Sequence, residues 1–373
     1  MTPLTFVALL VGLVCLVGGA ELLVRGAASV ATRFGIPPVI IGLTVVAFGT
    51  SAPELAVSVS AGFSGEGEVA FGNVAGSNIV NILLILGGSA VIGTLAVSQR
   101  IIRLDIPLLI GVSLVALVMS LDNEIGRLDG AVLFLGIVAY TGWLIRAARD
   151  ERAEVLEEYE EAVDELEVEV IDKPLAVQVG LVIAGLGVLI IGSQFLVSSA
   201  TDIAEDLGVS DLVIGLTVVA VGTSLPELAT SFLASLRGQR DIAVGNVVGS
   251  NLFNLMCVLG LTGVVSPDPV PVADSSLRVD YPVMLAATLV LVPIIWKGFE
   301  IRRGEGLILM AFYGAYVTYL VLDANESSSA DAIRLVVLVL TPLVFAFFTA
   351  AALRARREAP PAPAQPPLPG TTR

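Results

Sequence analysis

GLTVVAFGTSAPELAVS, at Gly42–Ser58, returns 173 residues later as GLTVVAVGTSLPELATS at Gly215–Ser231, with fourteen of seventeen positions identical. The same shift superposes GNVAGSNIVN (Gly72–Asn81) on GNVVGSNLFN (Gly245–Asn254), and Gly19 on Gly192, without a gap. Shared hydrophobicity does not produce identity at that density. The chain is an internal duplication, and its fold follows from how one unit must sit against the other.

The surroundings of these motifs are apolar. Of 373 residues, 55% are hydrophobic and 15% charged, with a mean hydropathy of +0.91, which points to the bilayer as solvent. Eleven stretches are long enough to cross about 30 Å of hydrocarbon: 4–24, 36–62, 69–98, 104–121, 127–146, 175–198, 210–236, 242–265, 279–296, 304–321 and 332–353. No room is left for a soluble catalytic domain. The first stretch carries no Lys or Arg between Met1 and Ala20, so it reads as a permanent helix and not a cleaved signal. Spans one to five repeat as spans six to ten. Five is odd, so the second unit is expected upside down relative to the first. The expected fold is an all-α integral membrane protein: two inverted five-helix repeats forming a ten-helix core, plus an eleventh C-terminal membrane helix. The expected divisions are a first half at 1–146, an acidic cytoplasmic loop at 147–173, a second half at 174–321, the extra helix within 322–358 and a disordered Pro-rich tail at 359–373.

Charge placement orients this array. One set of loops holds Arg25, Arg33, Arg100, Arg103, Arg146, Arg237, Arg240, Arg302 and Arg303, and the opposite set only Arg127, Arg278 and Arg334. The first set is therefore expected in the cytoplasm, with the N-terminus outside, the C-terminus inside, and the protein multi-pass in the plasma membrane. The net charge of −15 is uneven: 150–173 alone carries twelve acidic residues against two basic ones. That run reads as a solvated loop, without the ligand spacing of a calcium-binding helix–loop–helix. Neither length nor charge offers a nucleic-acid surface.

Glu54 and Glu227 stand out because each lies deep in an apolar span at equivalent repeat positions. A carboxylate at that depth costs at least ~2.5–3.5 kcal/mol, and neither span carries a Lys or Arg to neutralise it. One such residue could be a hydrogen-bonded structural carboxylate; two at matched positions favour a cation site. There is no histidine, and Cys15 and Cys257 sit singly in apolar runs, so a transition-metal site is excluded and oxygen ligands remain. On a helix Thr50, Ser51 and Glu54 fall near one face. Pro53 and Pro226 cannot donate to the carbonyls of Gly49 and Gly222, and carbonyls freed at membrane depth are tolerated only where something satisfies them, such as a cation or a lined cavity. Asn73, Ser77 and Asn81, repeated as Asn246, Ser250 and Asn254, add further oxygens. Asn73 and Asn246 read equally as ion contacts or as interhelical packing residues. Glu21, whose repeat mate is Gln194, reads as structural, gating or coupling.

These motifs resemble the two α-repeats of the Ca²⁺/cation antiporter superfamily, specifically the prokaryotic Na⁺/Ca²⁺ exchangers, over roughly 4–321. The resemblance implies an antiporter that moves Ca²⁺ outward against inward Na⁺ by alternating access, with the transported ions as its ligands and no cofactor. It implies Ca²⁺ between Glu54 and Glu227 with the main-chain carbonyls of Thr50 and Thr223. It implies one Na⁺ site from Ser51, Ser77 and the Ala47 carbonyl, and a mirror site from Ser224, Ser250 and the Ala220 carbonyl. Asn81 and Asn254 take the central polar position; many relatives carry Asp at the latter. Ca²⁺/H⁺ exchange and K⁺-dependent Na⁺/Ca²⁺ exchange are the neighbouring alternatives. An intramembrane enzyme, with the glutamates as an acid pair, would not need the matched serines and asparagines.

Overall fold

The computed structural model describes residues 3–34, 36–150, 174–206, 220–296 and 298–325, together with 333, 335, 346 and 350. Residues 151–173 of the acidic loop, the first part of span seven, nearly all of span eleven and the tail lie outside the described residues.

Apolar runs without a partner for their backbone groups must bond internally, and in a bilayer that means helices. The chain forms α1 (Pro3–Phe34), α2 (Pro38–Thr50), α3 (Ala52–Phe63), α4 (Gly67–Ile92), α5 (Ile101–Asp122) and α6 (Arg127–Asp150) in its first half. The second half forms α7 (Leu175–Asp206), α8 (Ala220–Thr223), α9 (Leu225–Leu236), α10 (Arg240–Val265), α11 (Ser276–Trp296) and α12 (Arg303–Ala324). Eight of these are long and apolar enough to span a membrane, and α2 with α3, bent by 45° at their break, passes the same test as a pair. The rest is helix connections and two two-residue ladders, Leu95–Ala96 with Glu300–Ile301 and Glu124–Ile125 with Val270–Pro271.

Burial sorts the helices by role. The most apolar window of α10 is buried throughout and that of α4 is 72% buried, whereas α1 and α12 turn most of theirs outward. Outward-facing α1 residues include Leu4 and Val14, at 76% and 70% exposure, as expected of a lipid-facing surface. The GN-x-x-GSN motifs thus sit on the two innermost helices.

Contacts between the halves are reciprocal. Along the α1–α7 seam a Cβ added to Gly12 would lie 2.9 Å from the Gly192 carbonyl oxygen, and one on Gly19 would lie 2.9 Å from that of Gly185. Gly185 is the repeat mate of Gly12, and Gly192 that of Gly19, so the two helices run antiparallel with the same residues meeting on both sides. Gly87 of α4 touches Gly306 of α12, while Gly260 of α10 touches Gly130 of α6, so each inner helix is flanked by the last core helix of the other half. Glycine lets these backbones approach where any side chain would separate them. Within each half a tyrosine–aspartate bond ties the outer helices: Tyr140 to Asp105, buried, and Tyr316 to Asp280, partly buried, both at 2.8 Å.

Gly19→Val or Gly185→Val should therefore destabilise the protein by about 1–3 kcal/mol, the usual cost of overpacking. Gly18→Ala, where an added Cβ meets nothing within 4 Å, should leave stability unchanged. Thermal melting in detergent measures both.

Candidate ion-binding site

Proline builds the site by ending one helix and starting another. α2 closes at Thr50, Ser51 breaks the helix with φ −83° and ψ 10°, and α3 begins with Pro53 in its first turn. The second half repeats this: α8 closes at Thr223, Ser224 has φ −86° and ψ 9°, and α9 begins with Pro226 in its first turn. Proline needs no N–H partner there, so the break costs little. Thr50 and Thr223 become last residues of their helices, where carbonyls lack an intrahelical donor. Glu54 and Glu227 become first-turn residues, where the partial positive charge of a helix N-terminus favours a carboxylate.

Both glutamates are fully buried. Each is held by the opposite half: Ser224 Oγ donates to Glu54 Oε1 at 3.0 Å, and Ser51 Oγ donates to Glu227 Oε1 at 2.8 Å. From their own halves, Ser77 and Ser250 reach the same two oxygens at 3.5 Å. The Oε2 atoms of both glutamates are buried with no partner. The carboxylates therefore have one oxygen fixed and one bare.

Asparagines brace the break behind them. Asn246 Nδ2 donates to the Glu227 carbonyl (3.4 Å) and Ser231 Oγ (3.0 Å), and its Oδ1 accepts from Thr50 Oγ1 (3.2 Å). Asn73 does the same with the Glu54 carbonyl (3.2 Å), Ser58 Oγ (3.0 Å) and Thr223 Oγ1 (3.4 Å). Both amides thus make the interhelical hydrogen bonds that the packing reading expects. Nearby, Asn81 Nδ2 donates to Asn251 Oδ1 at 3.0 Å, while Asn81 Oδ1 and both amide atoms of Asn254 are buried without partners.

The resemblance groups Ser51 with Ser77 and Ser224 with Ser250; in the fold Ser51 and Ser250 reach Glu227, and Ser224 and Ser77 reach Glu54. The Ala47 carbonyl accepts from Ser51 N (3.0 Å), and Ala220 opens the short α8. The carbonyl of Gly222, freed by Pro226, is satisfied within the protein: Ser193 Oγ of α7 donates to it at 2.7 Å. Position 20, the repeat mate of Ser193, is alanine, so Gly49 has no such hydroxyl. Glu21 is an ion-pair residue, taking Arg25 Nε and, at 2.7 Å, Arg237 Nη2 at the turn before α10. Ser58, Ser231, Asn78 and Asn251 were not picked out by spacing. The usable signal was that all four are polar residues inside the two duplicated motifs.

Residues 4–146 and 177–322 match the family described as sodium/calcium exchanger protein. The chain is 33% identical over 349 residues to the sodium/calcium exchanger MaX1 of Methanosarcina acetivorans, covering 86% of this chain and 99% of that one. It is 36% identical over 319 residues to the inner membrane protein YrbG of Escherichia coli, covering 84% and 95%. Among solved structures it is similar to the sodium-calcium exchanger NCX_Mj soaked with 2.5 mM Na⁺ and 0.1 mM Ca²⁺, with a TM-score of 0.72 and 29% identity over 85% of this chain and 99% of the other. The chain belongs to the sodium/calcium exchanger protein family, a family of transporters and not of enzymes.

Asn246→Ala should strip partners from Glu227, Ser231 and Thr50 and lower ion-free stability by about 1–3 kcal/mol. Asn73→Ala, at a half-buried position, should cost less. Comparing the two melting midpoints in detergent checks the order.

Proposed function

We propose that this member of the sodium/calcium exchanger family is an antiporter that exchanges Na⁺ for Ca²⁺ across the cytoplasmic membrane by alternating access, in the direction of Ca²⁺ extrusion. The observation that carries this reading is the pair of fully buried carboxylates, each with one oxygen held by a serine of the opposite half and the other bare. Two bare anionic oxygens in low dielectric attract cations strongly. Hard cations prefer carboxylate, carbonyl and hydroxyl oxygens, and those are the groups present.

In this reading Glu54 and Glu227 share Ca²⁺ with the carbonyls of Thr50 and Thr223. Na⁺ takes the same carboxylates, aided by the hydroxyls of Ser51, Ser77, Ser224 and Ser250 and the carbonyls of Ala47 and Ala220. Asn81 and Asn254 supply neutral oxygens at the centre. The protein then carries one load or the other per half-cycle. With neither bound, two buried negative charges would have to reorient uncompensated, and that cost forbids uncoupled return.

The architecture is read as two inverted five-helix repeats with an eleventh C-terminal helix, the N-terminus outside and the C-terminus in the cytoplasm. Three observations support this. α1 and its mate α7 run antiparallel along matched glycines. The contacts of α4 with α12 mirror those of α10 with α6. Each two-residue ladder joins two loops that the arginine distribution assigns to one side of the membrane. Placement in the plasma membrane follows the similarity to an inner membrane protein.

Glu54→Gln or Glu227→Gln removes half the anionic charge while keeping shape. Each should abolish Na⁺-driven ⁴⁵Ca²⁺ flux in proteoliposomes; flux near the wild-type rate in both would sink the reading. Imposing Na⁺, K⁺ and pH gradients separately identifies the coupling ion.

A further inference from the structure

Hydrogen bonds at the site come in mirror pairs related by the 173-residue repeat. Ser51–Glu227 has Ser224–Glu54, and Ser77–Glu54 has Ser250–Glu227. Asn73 to the Glu54 carbonyl has Asn246 to the Glu227 carbonyl, and Asn73–Ser58 has Asn246–Ser231. Thr50–Asn246 has Thr223–Asn73. The bond from Asn78 Nδ2 to the Val74 carbonyl has no mirror at Asn251, whose Nδ2 is buried without a partner, and the bond from Asn81 Nδ2 to Asn251 Oδ1, at 3.0 Å, breaks the pattern too. Its mirror would run from Asn254 Nδ2 to Asn78 Oδ1. Both residues are present and buried, yet Asn254 Nδ2, Asn254 Oδ1 and Asn78 Oδ1 have no partner.

The unmade bond lacks neither its donor nor its acceptor group. Asn78 Nδ2 donates to the Val74 carbonyl at 2.9 Å, which fixes the amide and leaves Oδ1 free to accept. Asn254 has a free donor. The backbone carries the same asymmetry: the π-helical turn holding Asn81 spans Val80–Leu86, whereas the one holding Asn254 spans only Asn254–Val258. Such turns are places where a helix changes register at functional sites. Leaving buried amide atoms unpaired is costly, so the mirror bond should form wherever the geometry permits.

We propose that the two asparagine bonds are alternatives. Asn81–Asn251 is closed in the facing state described here, and Asn254–Asn78 closes in the oppositely facing state. This rests on the exchange reading above, because an inverted duplication reaches its second facing state by exchanging the roles of its two halves. Asn251 and Asn78 are then positioning residues. When Asn251 takes the N–H of Asn81, the carbonyl oxygen of Asn81 becomes the free end of that amide and Asn254 stays uncommitted. In the other state Asn78 does this for Asn254. Each bond belongs to one state only, so it biases the equilibrium between them as well as the amides at the centre.

The test uses the full chain in right-side-out and inside-out membrane vesicles, with half-saturating Ca²⁺ for Na⁺-driven ⁴⁵Ca²⁺ flux measured from each face. Asn251→Ala removes the acceptor of one state and Asn78→Ala that of the other. The ratio of the two half-saturating concentrations should shift by about fivefold, the effect of one net hydrogen bond, in opposite directions in the two variants. It should return close to the wild-type ratio in the double variant. Asn251→Asp and Asn78→Asp keep the accepting oxygen; their added charge acts on both faces together and should leave the ratio in place. If an alanine variant fails to reach the membrane, the serine variants at the same positions are read in the same way. Shifts in one direction for both positions, unchanged ratios in both, or aspartate variants that shift like alanine would overturn the proposal. Wild-type vesicles without Na⁺-driven flux would instead overturn the exchange reading, and the asparagine exchange with it.

Discussion

A carboxylate inside hydrocarbon has to be compensated by what surrounds it, and the structure is organised around doing so twice without a cation of its own. Among the described residues no lysine or arginine acts on Glu54 or Glu227; the ion pairs of Arg25, Arg237, Arg278 and Arg302 lie elsewhere. Compensation comes from three weaker sources: the N-terminal turn of a helix, a serine from the opposite half, and a more distant serine from the same half. Together they fix one oxygen of each carboxylate and leave the other unpaired. A lysine in place of one serine would neutralise the charge more completely, and it would also close the site to any mobile cation.

Reciprocity follows from that constraint. Because each glutamate depends on a serine beyond the opposite helix break, neither half can form its part of the site alone. Close backbone contact is then required where the halves meet, and glycines supply it at Gly12, Gly19, Gly185 and Gly192 on the outside and at Gly42, Gly245 and Gly249 further in. Asn73 and Asn246 make the arrangement stiff, since each clamps a glutamate's own backbone, a serine one turn on and a threonine of the other half. Rigid bracing next to bare oxygens is the combination a selective site needs.

Much of this was legible in the amino-acid sequence. The duplicated motifs gave the two halves and the pair of glutamates, because identity over seventeen residues is visible without any structure. Nine of the eleven apolar stretches fall on described spans or on the broken span α2–α3, with span seven described only from residue 220. What spacing could not show was which half supplies which hydroxyl. Helical spacing puts Thr50, Ser51 and Glu54 on one face, but the break at Ser51 ends that helix and sends Ser51 to Glu227 instead. Each proline releases a carbonyl, yet its larger effect is to begin a helix with the glutamate in its first turn. Ser193 carries no repeat signal, because its mate is alanine.

Asn254 shows how far composition reaches into mechanism. With amides at both Asn81 and Asn254, the two glutamates are the formal charges at the centre, and no cluster of three carboxylate, histidine or cysteine ligands occurs among the described residues. Two charges balance one Ca²⁺. A carboxylate at position 254 would balance a third monovalent ion, but it would also take whatever donor it met, and a bare anion cannot trade a hydrogen bond with Asn78 as an amide can. An amide carries donor and acceptor at once, so it can give its N–H in one state and keep a neutral oxygen for the ion in either. In the exchange proposed above, the amides of Asn81 and Asn254 would be neutral ligands for cations of different charge, positioned by Asn78 and Asn251, and their own protonation would never have to change.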